Sequence, residues 1–289
     1  MTRAWLILGD ILVTLLLLIS FIFFYFSPLQ EKSKSIKTHP CEQNLTFQEY
    51  EAVIPEINNT LTVDDLMRMA QKVNENKFVP IKTFRDIPLD QALFAADAKV
   101  GSPVFIRIFK QEALLEVWMK TEEEIYRLVK MYQICAYSGK LGPKLREGDR
   151  QSPEGFYSVD KSSLNPHSKF HLAFNLGYPN AYDRVNKRTG SYLMVHGNCV
   201  SIGCYAMTDE KIEEIYKVVE AALERGQKEV QVHIYPFRMT EENMAAYAHY
   251  RWYDFWQNLK EGYDYFEAEH LPPSIYVKNK RYIISETAQ

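Results

Sequence analysis

A series of short apolar segments, separated by turn-forming residues, begins at Val104 and constrains the fold more than any other feature of the sequence. Segments rich in β-branched and aromatic residues are typical of strands, and Gly, Pro and charged residues between them are typical of turns. The predicted strands cover residues 104–109, 114–119, 132–137, 156–159, 170–174, 192–195 and 230–235. Such a series predicts a mainly β domain over residues 104–238, folded as a sandwich or a barrel-like sheet.

Two helices are predicted in the last third of the chain. Thr208 is a typical N-cap, and Asp209 and Glu210 follow it in the first turn, where the helix dipole favours carboxylates. The apolar stripe of this helix consists of Ile212, Ile215, Tyr216, Val219 and Leu223. Thr240 opens an aromatic-rich pattern that predicts one long helix to about Lys260, so residues 239–289 are expected to form a C-terminal helical extension.

Residues 4–26 form an almost wholly apolar segment. At about 1.5 Å per residue, a helix of this length crosses a hydrocarbon core of about 30 Å. A cleaved signal peptide is the alternative, but no small-x-small cleavage site follows the segment, which favours an uncleaved transmembrane anchor. Residues 27–60 are polar and predict a tether. Residues 61–103 predict a helical lead-in, because Thr62 and Asp65 resemble a capping box.

Charge and cysteine content narrow the function classes. The net charge is −3 and no long block of Lys and Arg occurs, so a nucleic-acid partner is not expected. The four cysteines form no C-x-x-C pair, which gives no support to a zinc ribbon or a thioredoxin motif. They are Cys41, Cys135, Cys199 and Cys204. If Cys204 is a free thiol, the other three cannot all pair within the chain, and the sequence leaves their redox state open.

The segment from Val195 to Met207 has the densest concentration of reactive side chains. It places His196 and Cys204 between a predicted strand and a predicted helix start. A thiol beside an imidazole and a helix N-terminus is expected to have a lowered pKa and to serve as a nucleophile. A buried structural cysteine is the alternative. A zinc site formed by His196, Cys199 and Cys204 is a further alternative, although it needs another ligand.

The same segment resembles the signature of YkuD-type L,D-transpeptidases, a His-Gly pair followed by Ser-x-Gly-Cys. His196-Gly197 and the run from Ser201 to Cys204 match it. The upstream element of that family is matched by Gly148-Asp149 and by the Ser-Pro-Glu-Gly-Phe run that ends at Phe156. Residues 136–144, 177–184 and 201–209 resemble the YafK-like branch in particular.

The resemblance implies a YkuD-like β-sandwich and a cysteine enzyme without metal or organic cofactor. Cys204 would attack the carbonyl of meso-diaminopimelate in a peptidoglycan stem peptide to form a thioester, and His196 would be its base. Gly203, Ser201 and Gly197 would shape the turn and the oxyanion site. Tyr178, Asn180 and Arg184 are weaker candidates for contacts with the substrate.

The fate of the thioester decides the reaction that the resemblance implies. An amine acceptor gives a crosslink, whereas water gives hydrolysis, and the YafK-like branch is associated with release of the outer-membrane lipoprotein from peptidoglycan. Expected partners are therefore stem peptides, that lipoprotein, and the inner membrane through residues 4–26, with the catalytic domain in the periplasm. If the N-terminal segment is cleaved, the protein is expected to be secreted to the periplasm.

Two departures from the family pattern favour hydrolysis. Ile202 stands where many members carry His, and Ala206 stands where most carry Arg. Neither side chain can pair with a peptide carboxylate, and such pairing would help to hold a second stem peptide as acceptor. A crosslinking transpeptidase, a catalytically decayed peptidoglycan-binding module and a different cysteine acyl hydrolase are the alternatives.

Overall fold

The computed structural model describes residues 87–286. The predicted anchor at 4–26, the tether at 27–60 and most of the lead-in at 61–103 lie outside this range. Within it, no helix combines the length and the apolar character needed to span a membrane.

The described residues form eleven strands and five α-helices, with one short 3₁₀ helix at Lys161–Ser163. In chain order they are α1 (Leu89–Ala95), β1 (Val104–Phe109), β2 (Leu114–Lys120), β3 (Tyr126–Gln133), β4 (Gly155–Val159), β5 (Leu164–Ser168), β6 (His171–Asn175), α2 (Ala181–Val185), β7 (Met194–His196), β8 (Tyr205–Ala206), α3 (Asp209–Glu224), β9 (Val230–Tyr235), α4 (Glu241–Ala246), α5 (Tyr253–Glu269), β10 (Ser274–Lys278) and β11 (Arg281–Ser285).

A five-stranded sheet of order β3-β2-β1-β9-β4 forms the centre of the fold. Within this sheet only β1 and β9 pair in parallel. Side chains alternate between the two faces of a strand, and both faces of β1 are covered. Ile106 lies in the core that includes the apolar stripe of α3, whereas Phe105 contacts Phe266 of α5. Because of this double coverage, all six residues of β1 are buried.

A second sheet of order β5-β6-β7-β8 carries the His and Cys segment at its edge. Phe174, Val195 and Tyr205 of this sheet share one core with β1, β9 and α3. Two sheets that share a core, together with flanking helices, confirm the expectation of a mainly β, YkuD-like domain.

The predicted strand at 132–137 is displaced in the structure, where β3 ends at Gln133. Ile134 then leaves the ladder, and Ala136 forms an isolated bridge to Ala206. The charged Lys130 interrupts the apolar pattern, so the sequence does not indicate that the strand begins at Tyr126. Its buried side chain pairs with Glu214 of α3, so a charged residue occupies a core-facing strand position.

The predicted long helix from Thr240 is two helices, α4 and α5, separated by a turn. Ala248, which lies in this turn, is exposed. In this turn Tyr247 stacks on Phe237 and Tyr250 stacks on Trp256, so tertiary aromatic contacts favour the break. The predicted helical extension at 239–289 also contains the β10–β11 hairpin, which the sequence pattern did not reveal.

A buried ion pair holds the loop between β3 and β4. Lys110 donates to the Glu154 carboxylate at 3.1 Å, and both side chains are fully buried. Lys110 also donates to the carbonyls of Lys140, Gly142 and Ser152. This single ammonium group therefore fixes the path of a loop that ends beside the His and Cys segment.

Replacement of Glu154 by Gln is expected to destabilise the fold by roughly 3–5 kcal/mol, because it leaves the Lys110 ammonium buried without a counter-charge. The free energy of unfolding, measured by urea denaturation monitored by tryptophan fluorescence, tests this. Glu122→Gln is the matched control, because the Lys99–Glu122 pair is exposed. Equal stability of the two variants would show that the buried pair does not hold the fold.

Candidate active site

The pairing of β7 with β8 places the candidate base and nucleophile on the same face of a sheet. The two strands are parallel, with Val195 opposite Tyr205 and His196 opposite Ala206. Val195 and Tyr205 point into the core. Since side chains alternate along a strand, His196 and the position of Cys204 share the opposite face. Ala206 lies directly opposite His196 in the register and two residues after Cys204.

Two contacts fix the His196 ring. Its Nδ1 lies 2.6 Å from the carbonyl oxygen of Gly197, and only a protonated Nδ1 can donate to that oxygen. Phe170 packs against the ring, with the two ring centroids 4.6 Å apart. Burial lowers the pKa of His196, although the Gly197 hydrogen bond opposes this. The imidazole is therefore favoured as the neutral form with its Nε2 lone pair free to accept a proton.

The Cys204 sulfur is partly buried and held by backbone groups. The Met194 N–H donates to Sγ at 3.4 Å, and the thiol donates to the Tyr192 carbonyl at 3.7 Å. Burial raises the pKa of Cys204, whereas the Met194 N–H and the charge of Lys144 oppose the rise. The expectation of a lowered thiol pKa is thus wrong for this site. The reason is the burial of the sulfur, which disfavours the charged thiolate.

The turn before Cys204 is closed by two serine hydroxyls. Ser201 Oγ donates to the Cys204 carbonyl at 2.7 Å and accepts from the Gly203 N–H at 3.1 Å. Ser152 Oγ donates to the same carbonyl at 3.2 Å. Gly203 has a φ of +152°, a conformation that favours glycine. Ser201 therefore shapes the turn, and the Gly203 N–H, expected as an oxyanion donor, is already bonded.

Gly197 is required by close packing. A Cβ at this position would lie 2.6 Å from an Asp209 carboxylate oxygen and 3.0 Å from the Phe170 carbonyl. The same Asp209 oxygen accepts from the Asn198 N–H at 2.7 Å. Asp209, the first residue of α3, therefore fixes the backbone at Gly197, whose carbonyl accepts the hydrogen bond from His196 Nδ1.

Cys135 and Cys199 form a disulfide with a Cα–Cα distance of 5.2 Å. Cys204 is the free cysteine of the described part of the chain. Because the Cys199 sulfur is bonded to Cys135, it is not available as a metal ligand. The alternative zinc site of His196, Cys199 and Cys204 thus lacks one of its three proposed ligands.

The polar groups of the three weaker candidates for substrate contacts, all in or near α2, form hydrogen bonds with backbone carbonyls of the protein. Tyr178 is buried, and its hydroxyl is 3.3 Å from the Lys144 carbonyl. Asn180 caps α2 and donates to the Phe156 carbonyl. The exposed Arg184 donates to the Pro179 carbonyl. Tyr178 and Asn180 therefore maintain the fold of this region in the unliganded protein.

Sequence reasoning missed Phe170, Ser152 and Lys144. Ser152 lies in the upstream motif and could have been found there. The sequence pattern predicts Phe170 as the first residue of a strand, but Phe170 precedes β6 and its ring packs on His196. Lys144 is buried and pairs with Asp149 of the same motif, a contact that sequence spacing alone does not reveal.

Comparison with known proteins identifies the family. Residues 103–234 match the YkuD family, the L,D-transpeptidase catalytic domain. The Escherichia coli K12 protein named "Putative L,D-transpeptidase YafK" is 54% identical over 187 residues, which cover 65% of this chain and 76% of that protein. The chain therefore belongs to the YkuD-type L,D-transpeptidase family. Members of this class are peptidoglycan-acting enzymes of the cell envelope.

Two solved structures show a weaker likeness. The helical cell shape determining protein Pgp2 of Campylobacter jejuni is 22% identical, with a TM-score of 0.38 over 62% of this chain and 67% of that chain. Bd1075 of Bdellovibrio bacteriovorus is 20% identical, with a TM-score of 0.32 over 60% of this chain and 63% of that chain.

The pH dependence of the rate at which iodoacetamide alkylates Cys204 is expected to give a thiol pKa above that of an ordinary cysteine, because burial disfavours the thiolate. The rate should be low at pH 7 and rise about tenfold per pH unit below that pKa, since the thiolate is the reacting form. Peptide mass analysis after timed alkylation at several pH values measures the rate at Cys204 alone.

The same protein in denaturant without reductant is the control. There the thiol should titrate near its ordinary value of about 8.5. A folded-state pKa below that of the denatured chain would contradict this interpretation and would indicate a preformed thiolate–imidazolium pair.

Proposed function

We propose that this chain is a cysteine acyl-transfer enzyme that attacks the meso-diaminopimelate carbonyl and hydrolyses the peptidoglycan–lipoprotein bond or a related L,D bond. The observation that carries the proposal is the shared face of His196 and Cys204 beside Ala206, with His196 Nδ1 bonded to the Gly197 carbonyl. This arrangement gives a neutral thiol and a neutral, oriented base on the same face of one sheet.

Proton transfer accompanies attack in this mechanism. His196 Nε2 accepts the Cys204 thiol proton as sulfur bonds to the substrate carbonyl carbon, and the Gly197 carbonyl stabilises the resulting imidazolium through Nδ1–H. The imidazolium then protonates the leaving amine, which leaves a thioester. A water molecule, deprotonated by the same Nε2, attacks the thioester and releases a free carboxylate and the thiol.

The Cys204 N–H is the proposed oxyanion donor. Among the described residues it has no bonded acceptor, whereas the neighbouring Gly203 N–H is bonded to Ser201. The Cys204 carbonyl accepts from both Ser152 and Ser201, so the peptide group that follows Cys204 is restrained and movement of the backbone at the nucleophile is limited. A donor that is already oriented stabilises developing charge without reorganisation.

The residues at positions 202 and 206 favour water as the acceptor. Ala206 is fully buried, so position 206 presents no cation to a second stem peptide. Ile202 is 82% exposed and offers an apolar surface beside the nucleophile. A second stem peptide, which carries carboxylates, gains no charge pairing from either residue, so water competes more effectively for the thioester.

An exported location is consistent with the Cys135–Cys199 disulfide, since such bonds persist in oxidising compartments. We propose that residues 4–26 anchor the chain in the inner membrane with the catalytic domain in the periplasm. Membrane fractionation of the full chain and of a periplasmically exported chain that begins at residue 27 tests this, and equal recovery of both in the soluble fraction would exclude the anchor.

Peptidoglycan that carries covalently attached lipoprotein is the substrate that tests the reaction. The full-length enzyme is expected to release lipoprotein or shorten stem peptides and to form no new dimers between diaminopimelate residues. Mass analysis of the soluble products and of the digested sacculus measures both. Cys204→Ala should release nothing above background, because the thioester cannot form.

Stem tetrapeptides without lipoprotein are tested in parallel as donors and acceptors. Abundant new dimers that depend on Cys204 would make the protein a crosslinking transpeptidase instead of a hydrolase. Activity that Cys204→Ala retains would remove the assignment of the nucleophile altogether.

A further inference from the structure

The Cys135–Cys199 disulfide joins the loop between the base and the nucleophile to a distant part of the chain. Cys199 lies between His196 and Cys204, and Cys135 is 64 residues earlier, just after β3. Residues 198–200 and 202 are exposed, so the core holds few of the loop's own side chains. The disulfide is therefore a covalent restraint on a loop whose outer part is largely solvent-facing.

Backbone hydrogen bonds extend this restraint to the two-residue segment Ala206–Met207, which lies just after the nucleophile. The Cys135 N–H donates to the Ala206 carbonyl at 2.8 Å, and the Cys199 N–H donates to the Met207 carbonyl at 3.1 Å. Ala136 and Ala206 exchange hydrogen bonds at 2.8 and 3.1 Å. The S–S bond thus closes a small ring that includes β8, the strand whose register aligns Cys204 with His196.

The loop conformation itself needs support. Asn198 and Cys199 are consecutive residues with positive φ, at +62° and +43°. Non-glycine residues in this region are strained and persist where surrounding contacts hold them. Asn198 is held by Asp209, and Cys199 is held by the disulfide and by Met207.

We propose that the Cys135–Cys199 disulfide is a positioning element for catalysis, so that turnover requires the oxidised pair. The inference rests on the proposed function, because its main readout is turnover at Cys204. Opening of the S–S bond frees the exposed loop to relax from its strained conformation. The spacing of His196 Nε2 and Cys204 Sγ then varies, and proton transfer slows.

The chemistry of the reduction is defined. A water-soluble phosphine attacks one sulfur of the disulfide and breaks the S–S bond. Water then supplies the oxygen of the phosphine oxide and two protons, and the cysteines accept two electrons as two thiols. A phosphine is chosen because a thiol reductant would also cleave the acyl-enzyme thioester.

The experiment compares the full-length enzyme, oxidised and phosphine-reduced, with the double variant Cys135→Ser/Cys199→Ser under both conditions. Reduction of the wild type is expected to lower kcat on the order of 10- to 100-fold, as small displacements of reacting groups do, with KM changed less than about twofold. The double variant should resemble the reduced wild type and should not respond to phosphine. Reoxidation should restore wild-type kcat.

Three further measurements separate positioning from folding and from the function itself. Thermal unfolding curves must show that each sample is folded at the assay temperature. A loss of kcat that only parallels the unfolded fraction overturns the proposal. Unchanged kcat on reduction also overturns it. If the oxidised enzyme has no turnover above that of Cys204→Ala, the proposed function has failed. The rate of alkylation at Cys204 then tests the positioning role of the disulfide independently of turnover. An alkylation rate that reduction leaves unchanged contradicts that role.

Discussion

The parallel pairing of β7 with β8 is the constraint on which the candidate site depends. Only two residue pairs define it, yet its register directs Val195 and Tyr205 into the core and places His196 and Cys204 on the opposite face of the sheet. A shift by one residue would bury the nucleophile and expose core side chains. The burial of Tyr205, whose hydroxyl donates to the Pro153 carbonyl, therefore specifies the alignment of the reacting groups as well as the stability of the sheet.

The electrostatics of the site favour a neutral resting state. Burial raises the thiol pKa of Cys204 and lowers the imidazole pKa of His196, so both effects act against a thiolate–imidazolium pair. In the proposed mechanism, charge separation occurs when the substrate carbonyl is present to receive the sulfur. The backbone contacts from Met194, Tyr192 and Gly197 orient the two groups without the need for a third ionised side chain.

Much of the fold could be predicted from the sequence, because strands β1 and β9 and the apolar stripe of α3 follow regular periods. The same holds for His196 and Cys204 as candidates, since a motif records both residue type and order. The predicted bounds of strand β3 differ from the observed ones because the buried Lys130 pairs with Glu214. Hydrophobic periodicity along the chain cannot reveal a contact between residues so far apart in sequence. The disulfide between Cys135 and Cys199 was equally hidden, because pairing depends on the bridge of Ala136 to Ala206.

Capture of the acyl-enzyme tests the central claim most directly. Full-length enzyme is mixed with a stem peptide that contains meso-diaminopimelate, quenched in acid within seconds, and analysed by intact and peptide mass spectrometry. The account predicts a mass increase equal to the acyl portion of the stem peptide, located on Cys204 and released by hydroxylamine as a thioester should be. An adduct on another residue, or full turnover with no adduct at any quench time and unchanged turnover in Cys204→Ala, would contradict it.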